Sequence, residues 1–238
     1  MPRAALHGSR AERTRAAVLD AGEVLFAERG FDATRLEDVA LRVGIRRASI
    51  VYYYRDKRQL YDAVLARVLG QLRGRLEAAL GSDAPLAARI EAAVSTWVAF
   101  VGARPALARI LLREAADATP ERRTALLVHT EPFVALIERH VFERPDFRRA
   151  RLAQIDPVHV ASTVVGATVF LVAAMPSLVP SKQGAQRAAG ERSSSGRERR
   201  PLDRTRLAAH EVEMLRVVRR LLGTRAPRPR ASGVRKKA

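Results

Sequence analysis

Arg46-Arg47-Ala48-Ser49 stands at the start of a short helical run, and each of these residue types has a use against a nucleic acid. Arginine bonds guanine bidentately, serine bonds a base edge or a phosphate, and alanine packs on a thymine methyl. The first residues of a helix laid in the major groove are the ones that meet base edges. Directly after them comes Tyr52-Tyr53-Tyr54-Arg55-Asp56-Lys57, an aromatic cluster with a basic end. Tyrosine hydroxyls donate to phosphates. Lys57, in the first turn of the next helix, adds a charge beside free backbone amides that also bind phosphate. With Tyr54 read as a core residue, the three tyrosines cannot all share its inward face, so at least one of Tyr52 and Tyr53 turns outward.

Other chemistries find no support. The chain has no Gly-x-Ser-x-Gly elbow, phosphate-binding glycine loop, Gly-x-Gly-x-x-Gly or His-Glu-x-x-His. It also has no cysteine, which excludes disulfides, thiolate zinc, iron–sulfur clusters and a cysteine nucleophile. The five histidines, His7, His129, His140, His159 and His210, lack the three- or four-residue spacing that puts two ligands on one helix face. The expectation is a protein that is not an enzyme and holds no cofactor or metal. Lys and Arg number 43 against 25 Asp and Glu, a net charge of +18, which points to a polyanionic partner. More than half of that excess lies in two short segments, 181–200 at +4 and 224–238 at +6. Both read as disordered, a basic loop and a basic tail.

The elements that must position these residues are all helical. Apolar residues recur at spacings of three and four, and caps punctuate them. Thr34-Arg35-Leu36-Glu37 fits a capping box, Asp56 caps a helix from Lys57, and Thr119-Pro120 and Asp156-Pro157 each pair a cap with a first-turn proline. Gly30, Gly81 and Gly223 suit helix ends. Nine helices are predicted, over 11–28, 35–42, 46–53, 57–80, 85–101, 105–117, 120–143, 157–175 and 203–222. Helices 35–42 and 46–53, joined at Val43-Gly44-Ile45, have the form of a helix-turn-helix, with Gly44 in a tight turn that a side chain would obstruct and Ile50 facing the core. Val160 to Ser181 carries no charge for 22 residues, but its serines, threonines and glycine, with Pro176 ending the helix, indicate a helix covered by protein and not a membrane span. The start of the chain has no apolar signal region, so a cytoplasmic, nucleoid-associated protein is expected.

From about Arg15 to Leu65 the chain resembles the TetR family of transcriptional regulators. The resemblance rests on Leu25-Phe26-Ala27-Glu28-Arg29-Gly30-Phe31, Ala33-Thr34, Asp38-Val39-Ala40, Val43-Gly44-Ile45, Tyr53-Tyr54, Lys57 and Leu60. It implies an all-α protein, a three-helix DNA-binding domain with a helix-turn-helix followed by a larger helical effector-binding and dimerisation domain. The organisation expected is a basic arm over 1–14, the DNA-binding domain over 15–66, the second domain over 67–223 and the tail over 224–238. By position, Thr34 is implied as a helix cap that also touches phosphate, Tyr53 and Lys57 as backbone clamps, and Arg47, Ala48, Ser49 and Tyr52 as base-facing. Arg35 and Arg46 complete the DNA-binding set. Arg46 stands where the family usually has a Ser or Thr cap, and Val51 where a tyrosine is common.

The same resemblance places a four-helix dimer interface on the last two long helices, here through Val164, Val165, Phe170, Leu171, Met214, Leu215, Val218 and Leu221. A small hydrophobic effector is expected between the middle helices, at Trp97, Phe100, Leu111, His129, Phe133 and His159. The partners are thus a palindromic double-stranded operator, a second copy and a small molecule that releases the DNA by population shift. The alternative is a basic protein that binds polyanions without sequence preference or associates with a membrane.

Overall fold

The computed structural model describes residues 10–116, 120–149, 157–178 and 203–221, with the side chains of 120–127, 148–149 and 157–158 left aside. The loop 181–200, the tail 224–238, most of the basic arm, and Thr119, Asp156 and Gly223 lie outside the described residues. Eleven α-helices and no strand occur among the described residues. They are α1 (Arg10–Ala33), α2 (Leu36–Val43), α3 (Arg47–Tyr53), α4 (Lys57–Leu80), α5 (Leu86–Gly102), α6 (Pro105–Ala116), α7 (Pro120–Ile137), α8 (Pro145–Arg149), α9 (Pro157–Ala173), α10 (Met175–Leu178) and α11 (Arg204–Leu221).

The observed helices depart from the expected ones in three places. Helix α1, expected over 11–28, starts at Arg10, within the expected arm, and runs to Ala33 through a kink at Gly30 (φ 81°), a left-handed conformation that favours glycine. The single helix expected over 120–143 becomes α7 and a π turn over Glu138–Phe142, and α8, which was not expected, follows from Pro145. The guanidinium of Arg89, fully buried on α5, sits at that turn, donating to the His140 carbonyl (3.4 Å), to the Leu80 carbonyl at the end of α4 (3.2 Å) and to Asp146 on α8 (2.7 Å). One arginine thereby joins the end of α4, the π turn and α8. Helix α9 stops at Ala173 because Pro176 lies beyond it, as expected, but α10 forms one further turn.

A main core runs from the head through α5 and α6 to α9 and α11. At the N-terminal end, Val18, Phe26, Val39, Ile50, Leu60 and Val64 pack α1 to α4 into a head. Helix α4 carries that core onward without a break, so the boundary expected at residues 66 and 67 falls inside a continuous helix. Helix α6 ties back to the head: Tyr61 Oη donates to Glu114 (2.5 Å), and Arg113 donates to the Glu28 carbonyl (3.1 Å). At the far end a smaller cluster of Leu80, Leu86, Leu136 and Val141 packs α4, α5, α7 and the π turn.

Candidate nucleic-acid interface and ligand cavity

Two short helices held at a fixed angle present the basic residues. Gly44 ends α2 at φ 75°, with its N–H on the Leu41 carbonyl (3.2 Å) and the Ile45 N–H on that of Ala40 (3.0 Å). A Cβ at Gly44 would meet nothing within 4 Å, so the glycine is required by its backbone angle and not, as the sequence suggested, by crowding. Helix α3 is anchored by Ile50, which is fully buried, and by Tyr54 just beyond its end, whose hydroxyl accepts from Arg15 Nε (3.2 Å). Tyr54 is therefore a core residue. The opposite side of α3 is open: Arg46, Arg47, Ala48, Ser49 and Tyr52 are exposed, Tyr52 at 84 %. Tyr53 is half-buried and meets Tyr52 edge to face at 5.2 Å.

Several polar groups have intramolecular partners here. Arg47 Nε lies 2.7 Å from Glu37 on α2, an exposed pair worth little and easily opened. Lys57 Nζ donates to the Asp32 carbonyl (2.9 Å) and lies 4.5 Å from the centre of the Phe31 ring. Asp56 caps α4 as expected, accepting from the Gln59 N–H (2.7 Å). The capping box at Thr34 is corrected. Arg35, exposed, is the residue that precedes α2, and no side chain caps it. Thr34 is fully buried, and its hydroxyl donates to the carbonyls of Gly30 (2.7 Å) and Leu25 (3.3 Å). The Thr34 hydroxyl thus closes back on α1, leaving the start of α2 without a side-chain cap. Arg46 likewise precedes α3 without a capping bond.

A cavity of about 210 Å³ opens between the middle helices. Leu76 and Leu80 of α4, Ile90, Val94 and Trp97 of α5, and Phe133, Leu136 and Ile137 of α7 form part of its wall. The π turn and α8 add Phe142 and Phe147. Of the residues expected to line it, the structure brings Trp97 and Phe133 there and not Phe100, Leu111, His129 or His159. Phe100 is buried in the main core with the guanidinium groups of Arg75 and Arg104 each 5.2 Å from its ring centre. Leu111 packs partly buried against that core, His129 lies 3.7 Å from Asp62, and His159 is exposed. The lining residues missed have no chemical signal in the sequence, since an aliphatic residue beside a cavity reads like one in a packed core.

The residues expected at a dimer interface divide in two. Val164, Met214 and Val218 are buried within the single chain, and Val164, Val165, Val218 and Leu221 line the cavity. Leu171 and Leu215 are half-buried. The correction follows from helix periodicity, because the side of α9 and α11 that faces the chain's own core cannot also face a second copy. What stays outward on α9 is Ala161, Val165, Gly166 and Phe170, the last 47 % exposed, with Ala161 and Val165 also at the rim of the open cavity. Among the described residues no single helix is long and apolar enough to cross a membrane; α5 and α6 reach that length only as a pair bent by 98°.

Comparison with known proteins agrees with the head and the overall fold. Residues 18–64 match the family described as "Bacterial regulatory proteins, tetR family". The chain is 30 % identical over 153 residues to the HTH-type transcriptional regulator RutR of Escherichia coli strain K12, covering 64 % of this chain and 70 % of that protein. It is 34 % identical over 82 residues to the HTH-type transcriptional repressor KstR2 of Rhodococcus jostii strain RHA1, covering 34 % and 40 % of the two chains. The fold is similar to that of the fatty acid degradation regulator FadR from Bacillus halodurans, with a TM-score of 0.63 at 13 % identity over 89 % of this chain and 99 % of that one. FadR from Bacillus subtilis, solved with stearoyl-CoA, gives a TM-score of 0.62 at 14 % identity over 85 % and 96 %. With the helix-turn-helix, the exposed basic face of α3 and a relative aligned over most of its length, the chain belongs to the TetR family of bacterial regulatory proteins and is a transcriptional regulator.

Proposed function

We propose that this regulator represses transcription by holding a palindromic operator as a homodimer, and that it releases the operator when a small hydrophobic effector fills the cavity. The observation that carries the reading is the division of α3: Ile50 is buried in the head while Arg47, Ala48, Ser49 and Tyr52 stand outward together. Arg47 leaves Glu37 to meet a base edge, and Tyr53, Lys57, Arg35 and Arg46 meet the flanking phosphates. Thr34 supports this surface from beneath. Two heads are needed because one seven-residue helix reads a single half-site, and paired half-sites lie about one helical turn, roughly 34–36 Å, apart. The exposed side of α9, beside α11, is where the copies meet.

Switching follows from continuity. Helix α4 belongs to the head at one end and to the cavity wall at the other, so an occupant that displaces Leu76 and Leu80 shifts the head. Such an effector must favour the displaced arrangement, since equal affinity for both would change nothing. The naming of KstR2 as a repressor and the acyl ligand in a protein of this fold support the reading. The protein acts at the nucleoid in the cytoplasm.

The test is selection of bound sequences from random duplex DNA near physiological salt, with wild type beside Arg47→Ala. A palindromic site recovered by wild type, with relaxed or weakened selection in the variant, supports the assignment. Equal retention of all sequences by both proteins would mean that the +18 charge acts without sequence preference, and the base-reading role of α3 would fall.

A further inference from the structure

We propose that the Arg89–Asp146 ion pair fixes the length of apolar ligand that the cavity accepts, by pinning α8 and with it the ring of Phe147. This rests on the reading of the cavity as the effector site. Most of the wall belongs to long helices whose lining residues are also core residues. Val94 and Trp97 of α5, Val164 of α9 and Val218 of α11 sit in the main core, and Leu80 and Leu136 in the smaller one. Those walls cannot yield without unpacking the chain. Helix α8 is different. It has five residues, far below the roughly 12–15 at which an isolated helix holds its own, so its place is set by what anchors it.

One anchor is aromatic: the Phe147 ring meets Phe142 of the π turn edge to face at 5.1 Å, and both rings line the cavity. The other anchor is polar. Asp146 accepts from Arg89 Nη2 through Oδ2 (2.7 Å) and from the Phe147 N–H through Oδ1 (3.0 Å), so one carboxylate ties the guanidinium to the backbone of a lining residue. The bonds of Arg89 to the Leu80 and His140 carbonyls fix that guanidinium in turn to α4 and the π turn. Arg89 is fully buried, and a buried cation that loses its counter-ion is strongly disfavoured. A ligand that pushes α8 outward must therefore break a pair that the chain holds firmly. The clamp stiffens the least-packed wall of the cavity.

Affinity then grows with chain length only until the ligand meets Phe147. Each buried methylene adds about fourfold, and once α8 stops the chain, further methylenes stay in solvent beyond the rim at Ala161 and Val165 and add nothing.

The 1-alkanols from butanol to decanol are the probes, titrated into the full chain by calorimetry. Emission of Trp97, the one tryptophan and a lining residue, reports occupancy of the cavity. Wild type is expected to gain about fourfold per methylene up to a limiting length and nothing beyond it. Asp146→Ala is expected to bind the shorter alcohols within about twofold of wild type and to extend the limit by about two methylenes. Asp146→Asn, which keeps an acceptor for Arg89, is expected to keep the wild-type limit. Arg89→Met combined with Asp146→Ala removes the buried charge together with its partner and is expected to give the same extension, so the test stands even where the single variant fails to fold. An unmoved limit without the pair, a uniform loss for every alcohol, or a wild-type gain that continues unbroken to decanol overturns the role of the clamp while leaving the cavity as an effector site. Binding of no alcohol overturns both.

Discussion

Thr34 shows how one side chain can lie in a recognisable motif and do something else. Its spacing to Glu37 fits a capping box, yet its hydroxyl closes the end of α1 by donating to the Gly30 and Leu25 carbonyls. Thr34→Val, nearly the same shape, removes the hydroxyl that these carbonyls share and is expected to lower stability by about 1–2 kcal/mol in urea denaturation, with Thr34→Ser losing less. A variant as stable as wild type would show that the two bonds contribute nothing. The exposed residues of α3 were legible in the sequence because helix periodicity separates them from Ile50 within a few positions. The cavity residues were less so: Trp97 and Phe133 stood out as large aromatics, while Leu76, Leu80 and Ile90 are chemically ordinary, and only the packing of four other helices puts them beside empty space.

Among the elements, α4 is the one on which head and cavity both depend, and it contains two glycines with no evident steric reason. Gly70 and Gly74 are exposed, and a Cβ at either would meet nothing within 4 Å. Each lies between the head residues up to Leu69 and the cavity residues Leu76 and Leu80. Gly70→Ala and Gly74→Ala are each expected to stabilise the protein by about 0.4–1 kcal/mol, raising Tm by about 2–4 °C for every kcal/mol gained. Calorimetry that found either variant less stable would reveal a demand on that surface from outside the single chain. The pairing of α9 with α11 carries a pH dependence. His210 Nε2 lies 3.0 Å from Thr168 Oγ1, and burial holds the imidazole below its ordinary value of 6.5. The folded state thus favours the neutral ring: its contribution is complete above about 6.5 and is lost as pH falls through the lower folded value. Between pH 7.5 and 5.5, wild type is expected to lose more Tm than His210→Gln does, and equal losses would remove His210 from the account.

The whole molecule joins a reading head to a cavity through one uninterrupted helix, and the family's use of paired heads makes the outward side of α9 decisive. Phe170, half-exposed on that side, touches solvent where a second copy is proposed. Phe170→Arg is expected to yield a folded monomer by light scattering and to weaken operator binding at least tenfold, since one head keeps only its half-site contacts. A variant that remained a dimer would move the interface elsewhere. The sequence by itself determined the all-helical class, the helix-turn-helix with its outward basic residues, the family and most helix boundaries. These are local properties, set by periodicity, caps and turn residues within a few positions of one another. Tertiary structure alone decided that Thr34 seals α1, that Arg89 ties the end of α4 to the π turn and α8, and that Val164 and Val218 serve the chain's own core. Each of these depends on which residues distant in the chain come within a few ångströms, and an apolar or basic side chain carries no mark of its distant neighbour.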